Sequence, residues 1–259
     1  MKFEKLLIIP DRGEIDKYEA LACKENLGFE YNDFFMPTVL ENRDEVEKVV
    51  NIYKESRELP RYTTSHGAFL DVTVFSDDPL IAKVSDYRVE QSIDIARKLG
   101  SEKVIFHTNY VANFTLPSYR RDWVERNAEY WNKKLDKYKD IQICIENMFD
   151  DTPELLSRLG EKMKNREGFG ICFDYAHAHV FGHEKDILSW VEALAPYTKH
   201  IHINDNDFKN DLHMAVGEGK IDWNRFKACY DKYFAGASVL IEVKGFDRIM
   251  SSLDFLREL

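Results

Sequence analysis

The chain has 259 residues, 44% hydrophobic and 32% charged, with a formal net charge of −10. That balance is ordinary for a globular protein with a sizeable core; no apolar run approaches a membrane span, so no membrane association is expected. The negative charge argues against broad nucleic-acid binding, although a local basic groove would still serve DNA.

Short apolar runs alternate with longer charged, amphipathic segments. The first run, Leu6–Ile9, follows Met1-Lys2-Phe3-Glu4-Lys5, which has no long apolar stretch behind it, so no signal peptide is expected. It leads through Pro10-Asp11-Arg12-Gly13 into a helix predicted over Ile15–Glu25. A strand at Phe29–Phe34 and a helix at Glu41–Glu55 follow. The third strand, Arg61–Ser65, precedes a helix over Pro79–Leu99, where Val89, Ile93, Ala96 and Leu99 have helical spacing and Gly100 marks the end. Next come the strand Lys103–Phe106 with a helix at Tyr119–Tyr138, then Gln142–Ile145 with a helix at Pro153–Lys164. Thr152 reads as the N-cap of that helix, with Pro153 at its first position. The strands Gly170–Phe173, His200–Ile203 and Val239–Ile241 complete the set, with helices at Lys185–Leu194, Trp223–Tyr233 and Arg248–Leu256.

Eight strands alternating with eight helices predict an α/β chain with a parallel sheet and right-handed crossovers. At this length a closed (β/α)8 TIM barrel, one domain over residues 1–259, is the economical solution. An open doubly wound sheet would usually bring a glycine-rich phosphate loop after its first strand, and Pro10–Gly13 is not one. The four cysteines, Cys23, Cys144, Cys172 and Cys229, form no Cys-x-x-Cys pair; Cys144 and Cys172 sit inside apolar runs as reduced core thiols, which fits a cytoplasmic protein.

Six of the eight predicted strands end in a histidine or a carboxylate: His66, His107, Glu146, Asp174, His202 and Glu242. In a barrel all C-terminal strand ends face one mouth, so these residues should converge. Most of the preceding runs are strongly apolar, and an unpaired charge at that depth would be costly. A metal ion removes the cost, and mixed imidazole and carboxylate ligands suit zinc, manganese or iron better than calcium or magnesium. His177 lies three residues after Asp174, and Asp211 and His213 precede the turn signal Gly217-Glu218-Gly219. Any one of these histidines alone reads as an ordinary hydrogen-bonded residue; the joint pattern carries the inference. His200 and His202 flank Ile201 and share a face of the sheet; His202 lies nearer the mouth, so His200 is expected to support it. His179 and His183 read as loop or supporting residues.

From about His66 to Glu242 the chain resembles the xylose isomerase-like barrels, which include endonuclease IV (apurinic endonuclease family 2) and many sugar and sugar-phosphate isomerases and epimerases. The motifs are Ser65-His66-Gly67, Val104-Ile105-Phe106-His107, Ile145-Glu146-Asn147, Phe173-Asp174-Tyr175-Ala176-His177, His202-Ile203-Asn204-Asp205, Asp211-Leu212-His213 with Gly217-Glu218-Gly219, and Ile241-Glu242. The resemblance implies a common metal site of Glu146, Asp174, His202 and Glu242. It implies a second ion on His66, His107 and Glu146, and a third on His177, Asp211 and His213. One to three Zn2+ ions follow, with Mn2+ as an alternative; simpler sugar isomerases of the group typically use one ion on the first four ligands.

Two activities compete. In sugar isomerisation or epimerisation, Glu146 and Glu242 would flank a small carbohydrate and move a proton between carbons, with His177 holding an oxygen. In phosphodiester hydrolysis at abasic DNA, the two glutamates would mainly be ligands or orient the attacking water. The ligand count favours hydrolysis. The departures from endonuclease IV favour the carbohydrate: His107-Thr108-Asn109 replaces His-Pro-Gly, Tyr175-Ala176 stands between Asp174 and His177, Asn206-Asp207 replaces a lysine, and Glu41-Asn42-Arg43-Asp44-Glu45 is mostly acidic where that enzyme grips DNA. The arginine that many keto-sugar epimerases carry soon after the strand-seven histidine has no counterpart before Arg225. A third reading is a metal-binding barrel without activity, against which both glutamates and every ligand type are present. Arg120, beside Arg121, is a candidate for a substrate phosphate; Trp223, with Phe69, Tyr110 and Phe149, is a candidate for the pocket wall. The carbohydrate reading leads, and the oligomeric state is left open.

Overall fold

The computed structural model describes residues 1–55, 60–183 and 186–259. Eight strands close into a barrel: β1 (Leu6–Ile8), β2 (Gly28–Tyr31), β3 (Thr63–His66), β4 (Lys103–His107), β5 (Gln142–Glu146), β6 (Phe169–Asp174), β7 (Thr198–Ile203) and β8 (Ser238–Ile241). Every neighbouring pair is parallel, and β8 returns to β1 with Leu7 opposite Leu240. The helices are α1 (Ile15–Glu25), α2 (Pro37–Leu40), α3 (Arg43–Lys54), α4 (Pro79–Lys98), α5 (Pro117–Lys137), α6 (Glu154–Met163), α7 (Tyr175–Val180), α8 (Ile187–Leu194), α9 (Trp223–Tyr233) and α10 (Phe246–Glu258). No described helix is long and apolar enough to cross a membrane.

Strand alternation divides the core in two. Outward residues such as Val104, Phe106, Ile143, Ile145, Ile171, Phe173, Ile201 and Val239 join the helices in one continuous apolar layer. Inside the barrel the apolar contacts shrink to two small groups, Leu7, Ile9, Tyr62 and Leu240, and Ile105, Cys144 and Cys172. The rest of the interior, towards the mouth, is polar.

The helix ends follow their sequence signals with local shifts. Asp78 caps α4 by accepting from Leu80 and Ile81, and Gly100 closes it at φ 70°. The cap of α6 falls on Pro153, one residue later than expected; the Thr152 hydroxyl is buried without a hydrogen-bond partner and caps nothing. The expected helix start at Lys185 lies outside the described residues; α8 is capped by Asp186, which accepts from Leu188. The short helices α2 and α7 have no counterpart in the sequence reading, because four and six residues are too few to display a periodic apolar face.

One loop has to be folded back for the mouth to be complete. After β7, Asp205 and Met214 form an antiparallel bridge with reciprocal N–H···O contacts of 3.0 and 2.9 Å. The Asp205 carboxylate, fully buried, then accepts from the backbone of Asn206, Gly217 and Ile221 and from Trp223 Nε1 at 2.8–3.1 Å. A side chain on Gly219 would overlap that carboxylate, which explains the glycine. Replacing Asp205 with Asn puts an NH2 donor where a carboxylate oxygen had accepted from N–H donors. We expect it to cost about 2–4 kcal/mol, the scale of stranding more than one buried donor. Denaturant unfolding checks this; a change below roughly 0.5 kcal/mol, typical of a neutral surface substitution, would show that the loop is held otherwise.

Candidate metal centre

The last residues of β3, β4, β5 and β6 are His66, His107, Glu146 and Asp174, and His202 lies in β7 just before its end. All are buried, with Glu242 immediately beyond β8. Their parity turns them inward, and the loops bring three more donors over them. His66 Nε2 and His107 Nε2 lie 3.1 Å apart, at 3.5 and 3.3 Å from Glu146 Oε2. His202 Nδ1 lies 3.2 Å from Glu146 Oε1 and 3.5 Å from Glu242 Oε2, and Asp174 completes this set of four, whose donor atoms all fall within 4.8 Å of one another. Above them, His177 Nε2 is 3.5 Å from Asp211 Oδ2, and His213 Nε2 is 3.2 Å from both Asp211 oxygens. The nine residues expected from the sequence as ligands thus lie in three adjoining sets, with Glu146 shared between two of them.

The backbone sets the histidine tautomers. Nδ1 of His66, His177 and His213 each stands 2.9 Å from a carbonyl oxygen, of Gly67, Asn147 and Glu242 respectively. A carbonyl can only accept, so each Nδ1 carries the proton and each Nε2 is turned to its cluster. Asn147 also ties β5 to β6, donating to the Asp174 carbonyl at 2.8 Å and accepting from its N–H at 2.9 Å. Asp174 Oδ1 accepts from His177 N at 2.6 Å as the cap of α7, leaving Oδ2 for the centre. His213 has a positive φ of 44°, a costly backbone for a non-glycine residue, and Arg248 donates to its carbonyl.

Charge is crowded here. Burial pushes Glu146 upward, but His202 and His107 outweigh it and hold the carboxyl well below its usual range. Glu242 is treated alike: burial raises it, His202 and His213 lower it further, to about 2. Asp174 goes the other way: burial, opposed by His177 and reinforced by Glu242 and Glu146, lifts it to about 8. Burial lowers His213, yet Glu242 and Asp211 raise it to about 9. Both Glu146 oxygens, Asp174 Oδ2, Glu242 Oε2, His202 Nδ1 and His177 Nε2 are buried with no hydrogen-bond partner. Each such atom costs about 1–3 kcal/mol, so the cluster does not satisfy itself. Divalent cations would satisfy these atoms together, and the mixed nitrogen and oxygen donors fit zinc or manganese.

Cys172, His200 and His202 form a further close set. Both His200 nitrogens are engaged, Nδ1 with Ser238 Oγ at 2.7 Å and Nε2 with Glu30 Oε2 at 3.1 Å, so this set reads as supporting structure. Glu30 was not singled out from the sequence. Its signal was present: a carboxylate inside a short apolar strand, here with no solvent exposure.

A cavity of about 370 Å³ opens over the centre, with apolar walls from Phe35, Phe69 and Met148 and with Lys244 and Arg248 on its rim. Two sequence candidates for substrate contact lie away from it. Arg120 is drawn to Asp151 at 2.8 Å and to Glu154 at 3.6 Å, and Trp223 is buried with Nε1 on Asp205. Ion pairing and core packing account for each. Tyr110 is likewise buried against Asp151, Phe149 is exposed beside Phe181, and Phe69 lines the cavity.

The model of the family described as xylose isomerase-like TIM barrel matches residues 22–259. A probable endonuclease 4 of Mycobacterium leprae is 27% identical over 216 residues, covering 77% of this chain and 79% of that one. A Thermus thermophilus protein whose structure was determined after soaking with zinc chloride superposes with a TM-score of 0.77 at 23% identity, covering 98% of this chain and 97% of its own. A D-tagatose 3-epimerase-like protein gives a TM-score of 0.74 at 21% identity, with coverages of 97% and 96%. At such identities the two superpositions speak for the fold.

If the centre takes zinc, the ion stabilises the folded chain by mass action. Zinc at 100 times its Kd should add about 2.7 kcal/mol relative to chelator-treated protein. Thermal unfolding with and without zinc measures it, and coincident curves would count against ion binding.

Proposed function

The chain belongs to the xylose isomerase-like TIM barrel family, and from that membership we propose a divalent-metal-dependent enzyme that isomerises or epimerises a small sugar or sugar phosphate. The supporting observation is one cavity of about 370 Å³, within the range of small-molecule sites, with Glu242 on its wall and Glu146 behind it in the four-donor set.

A divalent cation held by Glu146, Asp174, His202 and Glu242 would polarise a substrate oxygen and stabilise negative charge developing beside it. The chain's own groups do the rest. Glu146 and Glu242 are carboxylates at neutral pH because the imidazoles beside them outweigh burial, so each can accept a proton. For isomerisation one removes the proton from the carbon next to the carbonyl and, now protonated, returns it to the neighbouring carbon; for epimerisation the other, having taken a proton from solvent, delivers it to the opposite face while the first gives its proton up to solvent. His177, held through Nδ1 by the Asn147 carbonyl, presents Nε2 to a substrate oxygen. Phe35 and Phe69, stacked with centroids 5.2 Å apart, cover the carbon skeleton and exclude water. A phosphate would meet Lys244 and Arg248 on the rim rather than Arg120.

The three adjoining donor sets favour a second reading, a zinc phosphodiesterase acting on abasic-site DNA. The probable endonuclease 4 relative is consistent with it. The same mouth serves both readings, so they separate by substrate.

Zinc-reconstituted protein incubated in D2O with ketoses and ketose phosphates should incorporate deuterium next to the carbonyl. Chelator-sensitive nicking of abasic duplex DNA without deuterium uptake would replace the carbohydrate reading with the second. On the true substrate, Glu146→Gln should lower kcat by at least about 100-fold; undiminished turnover would remove Glu146 from the mechanism. Lys244→Ala should raise KM for a phosphorylated substrate about 5- to 30-fold, the effect of losing roughly 1–2 kcal/mol of charge-assisted contact, and leave an unphosphorylated analogue unaffected. Equal effects on both would show that Lys244 does not read phosphate.

A further inference from the structure

Beneath the donor sets a second polar layer crosses the barrel interior. Glu30 on β2 is fully buried, between inward residues of β3 and β7. Its Oε2 accepts from Thr64 Oγ1 at 2.7 Å and lies 3.1 Å from His200 Nε2; its Oε1 lies 3.3 Å from His202 Nε2. His200 Nδ1 is 2.7 Å from Ser238 Oγ, which accepts from Lys103 Nζ at 3.1 Å. The apolar groups inside the barrel, Ile105, Cys144 and Cys172 on one side and Leu7 and Leu240 on the other, offer this layer no side-chain oxygen.

Proton placement gives the layer a direction. The Lys103 ammonium only donates, so Ser238 accepts from it, and the Ser238 hydroxyl hydrogen has His200 Nδ1 at 2.7 Å and the Lys199 carbonyl at 3.4 Å as acceptors; on the other side of the ring the Glu30 carboxylate, which only accepts, faces His200 Nε2. His200 then carries its proton on Nε2 and donates to Glu30. Both nitrogens of His202 face carboxylates without making a hydrogen bond, Nε2 at 3.3 Å from Glu30 Oε1 and Nδ1 at 3.2 Å from Glu146 Oε1; with a cation on one nitrogen, the proton of the neutral ring lies on the other. Of the two, Nδ1 is the one facing Glu146 and Glu242. His66, His177 and His213 have the opposite arrangement, with carbonyls holding Nδ1–H and Nε2 turned to the centre. His202 is held instead between carboxylates, one on each ring nitrogen's side.

We infer that Glu30 is a positioning residue of the metal centre, holding His202 in the Nε2–H tautomer so that Nδ1 is the ligand atom, with Thr64 and His200 fixing the carboxylate in turn. The inference rests on the metal-site reading above. It accounts for a carboxylate in the middle of a barrel core, where an apolar residue of similar volume would be as stabilising or more so. A carboxylate behind a ligating histidine fixes the ring and raises its basicity, and losing such a partner typically weakens metal binding about 10- to 100-fold.

The full chain, labelled with 15N-histidine and loaded with zinc, tests this directly by long-range 1H–15N spectroscopy. His202 should show a proton on Nε2 and zinc on Nδ1; a proton on Nδ1, or zinc on Nε2, overturns the inference. Failure of the wild-type chain to take up zinc overturns it together with the metal-site reading, so the two failures are distinguishable. In Glu30→Gln an amide replaces the carboxylate, and zinc affinity at the four-donor set should fall about 10- to 100-fold, read by competition with a chelating dye. Cys144→Ala perturbs the same interior without removing a hydrogen-bonding group of the layer and should leave zinc affinity unchanged. Equal losses in the two variants would make the effect a general loosening of the core and overturn the role of Glu30; the wild-type spectrum decides the matter if Glu30→Gln does not fold.

Discussion

Four carboxylates share one small, water-poor volume at the barrel mouth, and interleaved imidazoles are what make that tolerable. His202 is the hub: one nitrogen faces Glu30, the other faces Glu146 and Glu242. Without it, Glu30 would keep only Thr64 and His200, and Glu146 only His66, His107 and His177, against the cost of lost hydration. The balance is still incomplete, as Asp174, lifted to about 8, and the unpartnered oxygens around it show. The protein therefore spends folding stability to keep a preorganised cup of unsatisfied donor atoms, which is the condition for capturing a cation.

Preorganisation comes from the backbone more than from the side chains themselves. Strand ends are rigid, and carbonyls of Gly67, Asn147 and Glu242 fix ring orientation in three of the histidines. Side-chain clamps do the same for the loops. Asn147 joins β5 to β6, Asp205 folds the loop that carries Asp211 and His213, and Asn109 donates to the carbonyls of Phe69 and Val72 at 3.0 and 2.8 Å. Phe69 is thereby held with its ring stacked on His107, centroids 4.5 Å apart. The donor floor and the apolar wall are coupled through such contacts, so the shape of the cavity and the arrangement of the donor atoms are not independent.

Much of the donor cluster was legible along the chain because most of the candidate ligands at strand ends interrupt an apolar run. Val104-Ile105-Phe106 before His107 and Ile143-Cys144-Ile145 before Glu146 announce both the strand and its polar terminus. Glu30 interrupts an apolar strand as well, but it lies inside the strand and not at its end. β2 has four residues, and only Gly28 and Glu30 face inward, so no alternation sets Glu30 apart. Arg120 and Lys244 reverse the lesson. One is a cation in the first turn of α5 and the other lies just beyond β8, but Asp151 and Glu154 claim the first while the second is left on the cavity rim, and a one-dimensional pattern carries no record of those partners.

The linear order of residues was enough to specify a parallel barrel and to nominate nine ligands, since period-two burial and strand-end position are local properties of the chain. It could not say that the nine divide into three sets sharing Glu146, that Asp205 folds the last two over the others, or that Glu30 lies behind His202. Those facts depend on register between strands far apart in sequence, such as Glu30 opposite Thr64 and Asp174 opposite His202. Register places inward side chains at the same height, and closing the barrel, not any local signal, fixes it.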